Sequence, residues 1–560
     1  MRIRGVSLVV QTASWGVFAL AIGWPAVALI GRCVAQGEPP QGGFSFSTRQ
    51  LGLLWRSVWL AASATALCVL ISIPAAYVVG RVRRLSHRPL IAGLLMVVLL
   101  TPPMVCAFGW ERVQALVTQY RAASVEVTVA IDSARFSPSE RPRRLKPAAQ
   151  VADDGAGKVS PLSFGAADSS LRGQLNLANY ARCIGVWALW AWPIPALLIG
   201  TGWARAGRPA FEAAVLATSA PSAFVRAVLP LLLRYIALSG AIVFILFFSD
   251  YGVPHACGVL VHATELLGWA QASSRTIDTV WPSTPGAVVV GLALTLIFIF
   301  WRRCSPSDNG LASTTSLAIP SLSLTGIAAA CVVVSWLVPI GTLVVTHATP
   351  ATMSEALNTY SPDLAWSLGL ALLGGLVAVG MGLGITLSGR GGTVALVGTF
   401  VFGALPGALV GEGLIAAYNH DATWWVYDDW PVLVLGYVAR FGWVGMLTAL
   451  FVIKHPRRQL VAQAQTDGAD AGSILRHVQL SGGWPTLLGA IGVVAALALA
   501  EVATSSMVRV PRFSPVALVL IEKFHRLEYD MLVSLSVWLV AAAVPPAVLL
   551  TLAMRRRHGT

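Results

Sequence analysis

The stretch Phe211 to Leu232, FEAAVLATSAPSAFVRAVLPLL, is polar ground between two apolar runs, and Ala462 to Ser481, AQAQTDGADAGSILRHVQLS, holds the same place in the second half of the chain. In the first, Glu212-Ala213-Ala214 reads as the opening of a short helix, Pro221 interrupts it, and Leu229-Pro230 closes it ahead of the next apolar run. What flanks these segments decides the fold. Working outward, apolar runs of about 20 residues recur along the chain, each long enough to cross a hydrocarbon core of roughly 30 Å. With 56% hydrophobic residues, 11% charged residues and a mean hydropathy of +0.71, the 560-residue chain is excluded from the soluble globular class. The expectation is an all-α polytopic membrane protein, since helices satisfy their own backbone groups in lipid.

The formal charge of +14 would suit nucleic acid or anionic solutes. The basic residues, however, flank the apolar runs in alternate short loops, as the positive-inside rule requires, so lipid is expected as a partner and nucleic acid is not. The seven cysteines form no CxxC pair, and neither a disulfide framework nor a zinc site is indicated. Cys33 and Cys257 could both face outward, but a pairing between them is the disfavoured reading. The first apolar run, Ser7 to Ile30, follows Arg2 and Arg4 and outruns a signal-peptide core of roughly 7 to 15 residues. Arg32 before Cys33 spoils a lipoprotein-type cleavage site, so the run reads as a retained span.

Twelve spans are expected, near 7–30, 51–80, 89–108, 184–203, 231–248 and 286–301, then 321–345, 364–387, 394–413, 431–453, 484–506 and 531–553. Arg81, Arg83 and Arg84, Arg302-Arg303 and Arg555-Arg556-Arg557 mark one face as cytoplasmic and put both termini there. Trp424, Trp425, Tyr427 and Trp430 lie where an outer aromatic belt belongs. A long polar stretch, about 110–182, carries Arg141, Arg143, Arg144 and Lys146. Loops beyond roughly 60 residues largely escape the charge rule, and it is placed outside. Gly155-Ala156-Gly157-Lys158 within it imitates a phosphate loop, but Ala152 stands where the first glycine belongs and Val159 follows the lysine, so the match is rejected.

The halves repeat. Gly185 pairs with Gly436, Trp192 with Trp443, Leu229 with Leu480 and Asp250 with Glu501, all 251 residues apart, whereas Pro102 and Pro406 are 304 apart. The difference, 53 residues, places an insertion between the third and fourth spans. The reading is a first module over 1–303, a cytoplasmic linker over 304–320 and a second module over 321–560.

Two parallel six-span units, each with a polar segment between its fourth and fifth spans, resemble the fused permeases of ATP-binding-cassette importers served by a binding protein. The likeness is to the ferric iron, thiamine and aminoethylphosphonate type, and it rests on the EAA loop. The first copy holds Glu212-Ala213-Ala214, Val228 and Leu229-Pro230, with Thr218 where glycine is expected and one residue fewer. The second holds Ala464, Asp467, Gly468, Val478 and Leu480, with Ala462 in place of Glu and Ser481 in place of Pro. Ser249 to Gly258 (SDYGVPHACG), Gly436 to Phe441 (GYVARF) and Glu501 to Ser514 (EVATSSMVRVPRFS) match the same family.

The resemblance implies that the two loops dock a cytoplasmic ATPase dimer, which would bind the ATP. It also implies an extracytoplasmic binding protein that delivers ferric iron or a small organic or oxyanion solute, and a bacterial inner-membrane location. The chain itself is expected to be no enzyme and to hold no cofactor or metal. Asp250, Arg440 and Glu501 are candidates for the translocation pathway, because charge inside a span is expensive and is kept facing a cavity or a partner. Structural pairing or helix capping is the competing role for each. His255, Cys257 and His262 have a spacing open to metal but lack a carboxylate. The competing class is a twelve-span secondary transporter driven by an ion gradient, with Arg440 and Glu501 as relay residues.

Overall fold

A computed structural model describes residues 8–38, 44–81, 95, 97–99, 101–135, 164–205, 208–304, 322–388, 391–454 and 458–556. Among these residues every regular element is a helix, as expected of apolar segments whose backbone groups must be satisfied internally. Among the described residues seven helices are long and apolar enough to span a membrane by length and composition, and up to ten if each of three bent pairs is one span. The chain is therefore an all-helical, multi-pass membrane protein. Of the expected third span, 89–108, residues 95, 97–99 and 101–108 are described, whereas the linker beyond Cys304 and Gly155-Ala156-Gly157-Lys158 lie outside the described residues.

The order of elements repeats closely. Helix Leu229–Phe248, then Gly252–Ala256, His262–Ala272 and Ile277–Cys304, is followed about 251 residues later by Ser481–Leu499, Ala503–Met507, Val516–His525 and Tyr529–Arg556. At the two beginnings, a π-helical turn at Ala19–Gly23 returns at Val333–Leu337, 314 residues on. Each of these wide turns precedes a proline, Pro25 or Pro339, whose ring supplies no N–H to the helix ladder.

The first helices cross over. Leu8–Phe18 packs on Pro350–Ser388 and Trp24–Gln36 on Gly407–Tyr418, while Leu322–Val332 packs on Thr48–Arg81 and Val338–His347 on Pro103–Arg135. Hydrogen bonds tie the exchange: Tyr418 Oη donates to Leu20 O at 2.6 Å, and Trp24 Nε1 to Ala417 O at 3.1 Å. In return, Trp336 Nε1 donates to Thr101 Oγ1 at 2.9 Å. Between Pro350–Ser388 and Pro431–Lys454 the backbones themselves touch. A Cβ on Gly445 would lie 2.2 Å from Ala378 O, so small residues set this approach where apolar side chains gain nothing over lipid.

Two expectations need correction. The 394–413 run is not a straight span: Gly392–Ala404 and Gly407–Tyr418 meet at 111°. Pro406 has no N–H, and Leu405 and Pro406 are both extended, which turns the chain. The 110–182 stretch is not loop at its ends, because Pro103–Arg135 and Phe164–Ala191 run helical into it. At 33 residues the first spans about 50 Å, more than a hydrocarbon core. Cys33 and Cys257 are both free thiols, and the hydrogen-bonding thiol neighbour of Cys257 is Cys183.

Candidate functional site

The two polar segments fold alike. Helix Arg208–Ala217 is followed by a break, the short helix Ala220–Ala223, a π turn at Phe224–Val228 and then Leu229–Phe248. Helix Arg458–Thr466 is followed by a break, Ala471–Ser473, a π turn at Ile474–Leu480 and Ser481–Leu499. Pro221 therefore does not interrupt a helix but sits in the first turn of the next one, where its missing N–H costs nothing. Leu229-Pro230 is not a stop either, since the π turn carries the chain straight into the span. The same turn forms ahead of Ser481, so it does not require proline.

The breaks differ in length, Thr218 and Ser219 in the first segment against Asp467 to Asp470 in the second, and in the residue that closes the helix. Gly468 has φ +81°, its N–H bonds Gln465 O at 3.1 Å, and Ala469 N–H bonds Ala464 O at 2.9 Å. This is a Schellman ending, which calls for glycine. In the first segment Thr218 keeps a negative φ and bonds Ala214 O with both its N–H and its hydroxyl, each at 2.9 Å. Asp470 then starts the next helix: its carboxylate accepts the N–H of Gly472 at 2.9 Å and of Ser473 at 3.3 Å, as well as the Ser473 hydroxyl. Those bonds, the hydroxyl first, hold its pKa below the ordinary carboxylate value.

Glu212, Ala213 and Ala214 all lie in the first of these helices; Ala213 is exposed, Ala214 half-buried, and the Glu212 side chain is outside the described residues. Pro230 and Asp467 are exposed, and Leu229, Ala464 and Leu480 half-buried. Leu216 is 90% exposed and Val225 54%, apolar side chains left uncovered at the surface of the first segment.

At the far ends of the following helices sit Asp250 and Glu501. Both cap the short helix beyond them: Asp250 accepts Gly252 N–H at 3.0 Å and Val253 N–H at 3.2 Å, and Glu501 accepts Thr504 N–H at 2.9 Å. Their other partners diverge. Buried Arg440 directs Nε at Glu501 Oε2, 3.3 Å away, and Nη1 at Gly403 O at 2.8 Å and at Leu405 O. One guanidinium thus satisfies both the buried acid and the carbonyls freed at the Pro406 break. Gly407 makes the approach feasible, for a Cβ there would meet Glu501 Oε1 at 2.5 Å.

The first half divides the same task between two indoles. Trp187 Nε1 donates to Asp250 Oδ2 at 2.7 Å, and Trp190 Nε1 to Thr101 O, just ahead of Pro102, at 3.0 Å. An ion pair in one half is matched by neutral donors in the other.

Between them lies a narrow pocket. Ile242, Ile245 and Ser249 line it from one side, and Phe400, Ala404 and Arg440 from the other, with Arg440 the single charged residue among those lining it. Arg440 therefore both pairs with Glu501 and lines the pocket, whereas His255, Cys257 and His262 do not converge as a metal site. Sequence reasoning passed over Glu412, a buried acid in Gly407–Tyr418 that accepts Thr276 Oγ1 at 3.4 Å. A carboxylate inside an apolar run was the available signal. Trp187 and Trp190 carried none, because buried tryptophan in a span is ordinary. No family model, curated protein or solved structure matches the chain.

Proposed function

We propose that the chain is the transmembrane permease of an ATP-binding-cassette importer in the bacterial cytoplasmic membrane. It comprises two six-span modules, with both termini cytoplasmic, and binds ATP only through a partner. The two segments Arg208–Val228 and Arg458–Leu480 dock a cytoplasmic ATPase dimer, and an external binding protein delivers the solute, ferric iron or a small organic or oxyanion species. The observation that carries this reading is the recurrence of one device, an exposed helix joined by a π turn to a span that ends in a capping acid. Such a joint passes a tilt of the surface helix into the span and on to the Arg440 pocket. Exposed Leu216 and Val225 supply apolar area that a protein partner would cover.

The test is purification of the chain together with its neighbouring ATPase, followed by ATP-driven uptake in proteoliposomes. Loss of uptake when the ATPase is inactivated is the expected result. The buried Arg440–Glu501 pair favours a second reading, a secondary transporter with these residues as a charge relay. That reading requires uptake by this chain alone under an ion gradient.

A further inference from the structure

The short helix Gly252–Ala256 and the end of helix Val516–His525 meet at the end of the bundle away from the two docking segments. There His255 Nε2 lies 2.9 Å from His525 Nε2, a contact between residues 270 positions apart. The rings stand edge to face, with centroids 5.0 Å apart and planes at 86°. Both are braced: Tyr251 stacks on His255 at 4.9 Å, and Phe524, next to His525, stacks on Phe108 at 4.8 Å. His525 is exposed and His255 half-buried, so the pair is open to solutes.

We propose that His255 and His525 form a two-imidazole binding site for a divalent transition ion of the nickel or copper class, bridging the two halves of the chain. Imidazole nitrogen bonds such ions at about 2.0–2.1 Å, so nitrogens 2.9 Å apart subtend roughly 90° at the metal. That is the cis angle of square-planar and octahedral coordination, the geometries of Cu2+ and Ni2+. A tetrahedral ion needs its nitrogens roughly 3.4 Å apart at the same bond lengths.

Without metal, one ring donates its Nε2 proton to the other. On binding, that ring changes tautomer to Nδ1–H, both Nε2 lone pairs face the ion, and no proton is lost from the pair. No third His, Cys, Asp or Glu joins the pair among the described residues, which leaves the remaining coordination positions to water. The site depends on no assumption about what the chain transports.

The test uses the full-length chain in detergent at pH 7.5. Nickel titration by calorimetry is expected to lose one bound equivalent in His255→Ala and the same equivalent in His525→Ala, with no further loss in the double variant. His477→Ala, in the second docking segment, is expected to retain that equivalent. Copper electron paramagnetic resonance on the unaltered chain is expected to show two coupled imidazole nitrogens, a reading independent of how the variants fold. Wild-type nickel binding in monodisperse single variants, or a copper spectrum without paired nitrogens, overturns the proposal.

Discussion

Replacing Arg440 by methionine tests whether one guanidinium holds the broken helix to the capping acid. The change removes the donors to Gly403 O and Leu405 O and leaves Glu501 without its cation at 7% exposure. Breaking a buried pair on one side costs about 3–5 kcal/mol. In Arg440→Met/Glu501→Gln the charge is gone as well. The glutamine oxygen still accepts Thr504 N–H, and the remaining penalty is that of unpaired carbonyls, about 1–3 kcal/mol. The double variant is therefore expected to be more stable than the single one by about 2 kcal/mol, the difference between these ranges. Unfolding in mixed detergent micelles, followed by tryptophan fluorescence, measures both. A single variant as stable as the unaltered chain, or a double variant no better than the single, refutes the reasoning.

Other consequences concern the docking segments. Gly468→Ala places a side chain at φ +81° with open space around it, so the cost is backbone strain alone, about 1–2 kcal/mol, read as faster amide exchange over Arg458–Asp470. Asp470 has a lowered pKa in the folded chain, so its cap is complete above the ordinary carboxylate range and is lost as pH falls through the lowered value. Exchange at Gly472 and Ser473, corrected for intrinsic rates, is expected to rise on acidification and to lose that dependence in Asp470→Ala. Glu212→Ala is expected to reduce the amount of copurifying ATPase more than Ala462→Glu changes it, because only the first segment carries the acid.

The helical, multi-pass character and the recurring order of elements were legible in the sequence, because hydropathy and the 251-residue spacing of Asp250 and Glu501 are local or additive signals; of the twelve expected spans, seven to ten are long and apolar enough among the described residues. The glycine of the second segment was legible as well: only a left-handed residue closes that helix, and Gly468 is the residue that adopts it cheaply. The 111° break was not, since hydropathy counts 394–413 as one run and is blind to the direction of the chain on either side of Pro406. Arg440 was visible as a misplaced charge, but its triple role depends on carbonyls some 35 residues away. The division of that role between Trp187 and Trp190 was hidden, because a tryptophan betrays nothing about where its N–H points. The His255–His525 contact joins residues 270 apart, outside any local pattern.

The most direct test of the central claim is site-specific crosslinking from the two docking segments in native membranes. Photoreactive maleimide on Leu216→Cys and on Asp467→Cys is predicted to reach the same nucleotide-hydrolysing subunit, one copy at each position. The account is contradicted if neither position reaches such a subunit and solute enters liposomes that hold this chain alone under an ion gradient.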